Sequence, residues 1–209
     1  MDILVFVITV VLVTASGALA PGPLFFATLS HGAKSGVKSG LIFSIAHTVV
    51  EFSLIMLLAL GLLTIASEPF VKVVIGVIGG IVLFAFGTVQ IRSSLLSKSE
   101  DTISHKSSSH HLFIIGLAFT GLNPYFVLWW LTVGAQLIII SLEFASFAGV
   151  FFMYVCHVWM DYLWLTTVAY LAKKGKNVIG LKWFRALMIL FGAILIYFGI
   201  SFFINALGS

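Results

Sequence analysis

Residues Ile3 to His31 read ILVFVITVVLVTASGALAPGPLFFATLSH, an apolar run long enough to cross a bilayer that carries Pro21-Gly22-Pro23 in its second half. A crossing uses about 20 apolar residues as a helix, and inside hydrocarbon every backbone polar group must find a partner within the protein. Proline has no amide hydrogen and clashes with the preceding turn. A Pro-Gly-Pro insert therefore breaks the helix where backbone groups are most expensive to leave open. The stretch predicts a broken transmembrane helix. The remainder of the chain is of the same kind: 61% of the 209 residues are hydrophobic and 9% are charged, against roughly 25% charged in a soluble domain. Mean hydropathy is +1.19.

Five further apolar runs follow, so that helices are expected at about 3–31, 39–66, 70–92, 111–140, 144–172 and 184–206. The runs do not alternate, which excludes a β-barrel. The expected fold is an all-α membrane protein of six transmembrane helices with no extramembrane domain. The first run ends in Ala18-Leu19-Ala20 and is read as a span, not as a secretory leader. Met1-Asp2 is acidic where a leader is basic, and Pro21 follows the would-be cleavage site.

Charge sets the orientation. Ten of the eleven Lys and Arg residues fall in the loops between the first and second, third and fourth, and fifth and sixth runs, and only Lys72 lies on the other side. By the positive-inside rule those loops are cytoplasmic and both termini are outside. The net charge of +4 thus reports topology, and nucleic-acid binding is not expected. Membrane lipid is the surrounding partner, and a homodimer stays open. A single cysteine, Cys156, excludes an internal disulfide and a two-thiol relay.

The Ser-rich segment 93–110 reads as a cytoplasmic linker. It divides the chain into a first three-helix unit, 1–92, and a second, 111–209. The units echo each other in order. Pro21-Gly22-Pro23 in the first run is matched by Asn123-Pro124 in the fourth. His47 and Glu51 in the second run are matched by His157 and Asp161 in the fifth. The Gly80 to Gly87 stretch in the third is matched by Gly192 to Gly199 in the sixth. Units with an odd number of helices must enter the membrane in opposite senses. An inverted repeat with a broken helix in each half is a recurring plan of secondary transporters, whose substrate binds near the midplane at the breaks.

The residues of the breaks, Pro21, Gly22, Pro23, Asn123 and Pro124, are the candidate substrate site. A half-helix N-terminus presents unpaired N–H groups and about half a positive charge, which suits a carboxylate. Asn123 is placed to cap the second half-helix, with Pro124 at its first position. The candidate coupling residues are His47, Glu51, His157 and Asp161, since a charge at mid-bilayer costs at least about 2.5 kcal/mol. A spacing of four puts each pair on one helical face. Two chemistries use such a set. A buried acid beside a histidine can take up and release a proton, or two imidazoles and two carboxylates can hold a divalent cation. Trp129, Trp130, Trp159, Trp164 and Tyr162 are candidates for an aromatic wall, a surface that attracts ammonium groups. His105, His110 and His111 read as solvated linker. No Ser, Thr or Cys stands out beside the histidines as an enzyme's nucleophile, and no cofactor is expected.

Ala20-Pro21-Gly22-Pro23, the Gly32 to Gly40 turn with its two lysines, and Gly121-Leu122-Asn123-Pro124 opening the second half together resemble the LysE/RhtB family of amino-acid exporters. The resemblance covers nearly the whole chain. It implies export of amino acids or related small metabolites through the cytoplasmic membrane of a prokaryote, driven by the proton gradient. The breaks would then be the family's motif positions. The His-x-x-x-acid pairs depart from the pattern of the usual amino-acid exporters, and related branches of the wider superfamily resemble exporters of metal ions.

Overall fold

The structure, a computed structural model, describes residues 2–20, 22–62, 69–96 and 108–208. Among them every regular element is helical. Asp2 caps α1 (Ile3–Ala18) by accepting the Leu4 amide at 2.9 Å. The break follows, and α2 (Pro23–Ser35) leaves it bent by 70° from α1. Gly36, at φ 60°, turns the chain into α3 (Val37–Leu57). That φ belongs to the left-handed region, where a side chain costs energy and glycine does not. A π-helical turn, Leu58–Leu62, ends α3, with Gly61 again left-handed at φ 92°.

Helix α4 (Pro69–Leu96) runs four residues past the expected boundary. Helix α5 (Ser109–Gly121) begins before the expected one, capped by Ser108, whose hydroxyl accepts the His111 amide at 3.2 Å. His110 and His111 therefore sit in an exposed first helical turn and not in a loop, while His105 lies outside the described residues. After the second break come α6 (Pro124–Trp129) and a second π-helical turn, Trp130–Gly134.

The last run, α7 (Ala135–Gly208), is helical throughout its 74 residues, yet it is no single rod. At 1.5 Å per residue it would extend about 110 Å. Gly149 instead packs against the carbonyl of Ser141, and Ser146 takes φ 51°. The chain doubles back there, a few residues later than the expected gap at 141–143. It folds back once more, because Leu165 and Leu195 share one core.

Val37–Gly61 and Ala135–Gly175 are each long and apolar enough to cross a membrane, and α1 with α2 qualifies as a bent pair. Large apolar side chains cover the outside, among them Leu12, Ile81, Val89, Leu163 and Ile204. Such a surface suits a lipid environment.

Helices meet through small residues, as expected where lipid offers no hydrophobic drive and close contact supplies the attraction. A β-carbon on Gly40 would lie 2.6 Å from the Leu165 carbonyl oxygen. Helix α4 packs on the final stretch of α7 at two points. A β-carbon on Gly80 would lie 2.7 Å from the Gly199 oxygen, and one on Gly87 would lie 2.5 Å from the Gly192 oxygen. The lower number meets the higher in both cases, so the two helices run antiparallel. Two apolar cores result. One gathers Phe6, Val10, Ile55, Trp130, Leu137 and Met153, and the other Leu24, Phe26, Phe43, Leu112, Leu165 and Leu195.

Candidate functional site

Between the two cores lies a cavity of about 410 Å³, lined by residues of both breaks and by the ionisable residues of α3 and α7. The first break contributes Gly22 and Pro23. Its geometry follows from its sequence: Pro23 opens α2 at the position where a missing amide hydrogen costs nothing. The Phe26 amide already closes onto the Gly22 carbonyl at 3.2 Å. The amides of Leu24 and Phe25 fall in the first turn, which has no intrahelical acceptors, and both residues line the cavity. Pro21 lies outside the described residues.

The second break behaves differently. Asn123 Oδ1 accepts the Tyr125 amide at 3.1 Å, and the Val127 amide closes onto the Asn123 carbonyl at 3.1 Å. Pro124 begins α6. This helix end is largely satisfied by its own cap, so what it offers the cavity is the Asn123 side-chain amide. That amide faces the other break, with Nδ2 3.7 Å from where a β-carbon on Gly22 would sit. The two breaks therefore meet.

The four ionisable residues also meet, in one cluster. His47 Nε2 lies 3.4 Å from Glu51 Oε1 within α3, and His157 Nε2 lies 3.2 Å from Asp161 Oδ2 within α7. Across the helices, His157 Nε2 is 3.1 Å from Glu51 Oε1, and His47 Nε2 is 3.9 Å from Asp161 Oδ1. Glu51, His157 and Asp161 are all buried. Two imidazoles thus stand between two carboxylates, which is how a low-dielectric interior tolerates charge. The ion-pair distances of His157 are short, but its ring is not aligned for a hydrogen bond. His157 Nε2 and Nδ1, Glu51 Oε2 and Asp161 Oδ2 all lack a hydrogen-bond partner. The cluster holds unused hydrogen-bonding capacity.

Neighbours fix its members. Thr120 Oγ1 lies 3.2 Å from His47 Nδ1, and the Trp130 indole donates to Glu51 Oε1 at 3.2 Å. Tyr154 donates to the Thr48 carbonyl at 3.3 Å. Of the expected aromatic wall, Trp129, Trp130 and Trp164 line the cavity. Trp159 points outward, its indole donating to the Cys156 carbonyl at 2.8 Å, and Tyr162 receives the Thr48 hydroxyl at 3.3 Å. The sequence reading missed Phe25, Tyr125 and Phe126, which complete the wall, and Thr120. Each follows a break by a few residues or precedes it by one turn, which is the signal that points to them.

The family model for LysE type translocators matches residues 15–206, which takes in both breaks and the whole ionisable cluster. No curated protein and no solved structure matches the chain.

Proposed function

The chain belongs to the LysE type translocator family, small-molecule transporters of the membrane, and from that premise we propose that it exports amino acids or related zwitterions, coupled to protons, by alternating access. The observation that carries the reading is the convergence of both helix breaks and all four ionisable residues on one cavity. The substrate carboxylate is held by the open Leu24 and Phe25 amides at the start of α2, with the Asn123 side-chain amide beside them. The ammonium faces Glu51 and Asp161. Protons are carried by the His47, Glu51, His157 and Asp161 cluster, since a proton gained or lost there changes the charge of a dry site.

Alternation rests on six spans arranged as two inverted halves, in a prokaryotic cytoplasmic membrane with both termini outside. Contact symmetry supports the halves. Matching Gly80 with Gly192 and Gly87 with Gly199 turns the Gly80–Gly199 contact into the Gly87–Gly192 contact. Matching His47 with His157 and Glu51 with Asp161 turns the 3.9 Å pair into the 3.1 Å pair. Both exchanges are what a two-fold axis in the membrane plane produces.

A second reading, divalent-cation export, has one observation behind it: ligand atoms of His47, Glu51 and Asp161 lie within 4.8 Å of one another. Transport in proteoliposomes separates the two. Under an imposed pH gradient, movement of a labelled amino acid that vanishes when the gradient is collapsed supports the exporter. Movement of zinc or manganese with no amino-acid transport would replace it with the cation reading.

A further inference from the structure

The walls of the cavity narrow the substrate further. Resting on the exporter reading above, we infer that the substrate is an α-amino acid with a large, uncharged, apolar side chain, aromatic or branched, and not a basic, acidic or short one.

The charges come first. Among the described lining residues the only acids are Glu51 and Asp161, and there is no Lys or Arg. Both carboxylates are already shared between two imidazoles at 3.1 to 3.9 Å. Glu51 Oε2 alone takes no part in these pairs and has no hydrogen-bond partner, so it suits one ammonium group. A basic side chain would bring a second cation with no third acid to receive it. An acidic side chain would bring a second carboxylate with no Lys or Arg to receive it, the two imidazoles being already shared by Glu51 and Asp161. Each would carry an unpaired charge against buried, largely aromatic walls, at a cost that disfavours it.

Away from the acids the wall is mainly aromatic and small, with Thr14, Ser16 and Tyr125 as its uncharged polar members besides Asn123, and the Trp164 indole nitrogen without a hydrogen-bond partner. Phe25 and Trp164 stack face to face, with ring centroids 5.8 Å apart and planes 16° from parallel. Trp129 stands edge-on to Trp130 at 5.1 Å, and Phe126 stands edge-on to the His47 ring at 5.3 Å. Phe25 stands in the first turn of α2 with Trp164 stacked on it, so an amino acid whose carboxylate is held at that end turns its side chain toward these rings. At about 30 Å³ per water molecule, a cavity of 410 Å³ is far larger than the backbone of an amino acid requires. With a short side chain, water would remain against aromatic faces. A large apolar one displaces that water and buries its own surface, which improves affinity by about ten- to a hundred-fold over alanine.

The test is calorimetric titration of the purified full chain in detergent with L-phenylalanine, L-leucine, L-alanine, L-lysine and L-glutamate. Phenylalanine and leucine are expected to bind at least about tenfold more tightly than alanine, and lysine and glutamate more weakly than alanine. Phe25→Leu, which keeps the backbone amide and an apolar side chain in place, is expected to narrow the gap between phenylalanine and alanine. Tightest binding of lysine or of glutamate would overturn the inference and leave the exporter reading standing. Equal binding of alanine and phenylalanine would also overturn it. If none of the five binds, the exporter reading falls and the inference falls with it.

Discussion

Glu51 concentrates its contacts on one oxygen. Its Oε1 receives the Trp130 indole at 3.2 Å and lies 3.1 and 3.4 Å from the two imidazoles. Glu51→Gln keeps the shape and removes the charge, as Asp161→Asn does for its partner. Either change is expected to reduce gradient-driven transport at least tenfold in proteoliposomes while the size-exclusion profile stays monodisperse. Normal transport in both variants would remove these acids from the coupling step. Glu51→Ala is a different experiment, because it empties the space between the two imidazoles and leaves Asp161 as their one carboxylate partner. Breaking a buried pair in this way costs about 3–5 kcal/mol, so a large fall in melting temperature is expected with alanine and a small one with glutamine. Trp130→Phe isolates the indole's part. It deletes one hydrogen bond to a charged group, worth about 1.5–3 kcal/mol, and is expected to lower thermal stability less than Glu51→Ala does. A melting temperature equal to that of the parent protein would show that the indole does not hold Glu51.

Among the helices, α4 and the end of α7 depend on the absence of side chains at Gly80, Gly87, Gly192 and Gly199. Gly87→Leu forces a side chain into a gap where even a β-carbon sits 2.5 Å from a carbonyl oxygen. Overpacking of this kind costs about 1–3 kcal/mol, so a clear drop in melting temperature in detergent is expected. An unchanged value would mean that the two helices do not pack at these glycines. These glycines were legible beforehand because Gly80 to Gly87 and Gly192 to Gly199 repeat in matched positions. His47, Glu51, His157 and Asp161 were legible because a charge in hydrocarbon has few explanations. Phe25 and Phe126 were not. In a chain with 20 phenylalanines, hydropathy gives the same score to a ring facing lipid and a ring facing a cavity. The π-helical turns at Leu58–Leu62 and Trp130–Gly134 were equally hidden, since a shift from i−4 to i−5 bonding leaves no mark on composition. The unequal chemistry of the two breaks was hidden too. Asn123 was legible as the cap of its own helix, and its Oδ1 does accept the Tyr125 amide, but that its Nδ2 then turns toward Gly22 is a feature of the fold alone.

For the whole molecule the decisive question is orientation, because the proposed direction of transport depends on the sense in which the chain enters the membrane. Asp2 and Lys174 are both exposed and sit near opposite ends of the apolar sleeve in the inverted-repeat reading. Cys156 is the only native thiol, so Cys156→Ser provides a background without cysteine. In that background Asp2→Cys is expected to react with a membrane-impermeant maleimide added to intact cells. Lys174→Cys is expected to react only after the cells are permeabilised. The reverse pattern would place the basic loops outside and overturn the topology, and with it the direction of transport assigned to the cavity. Labelling of both sites in intact cells would mean an even number of crossings between them, which two inverted three-helix halves do not allow. The pattern expected here puts an odd number of crossings between residues 2 and 174. The five spans proposed before the last cytoplasmic loop meet that requirement, and the broken α1–α2 pair then counts as a single crossing bent at the proposed substrate site.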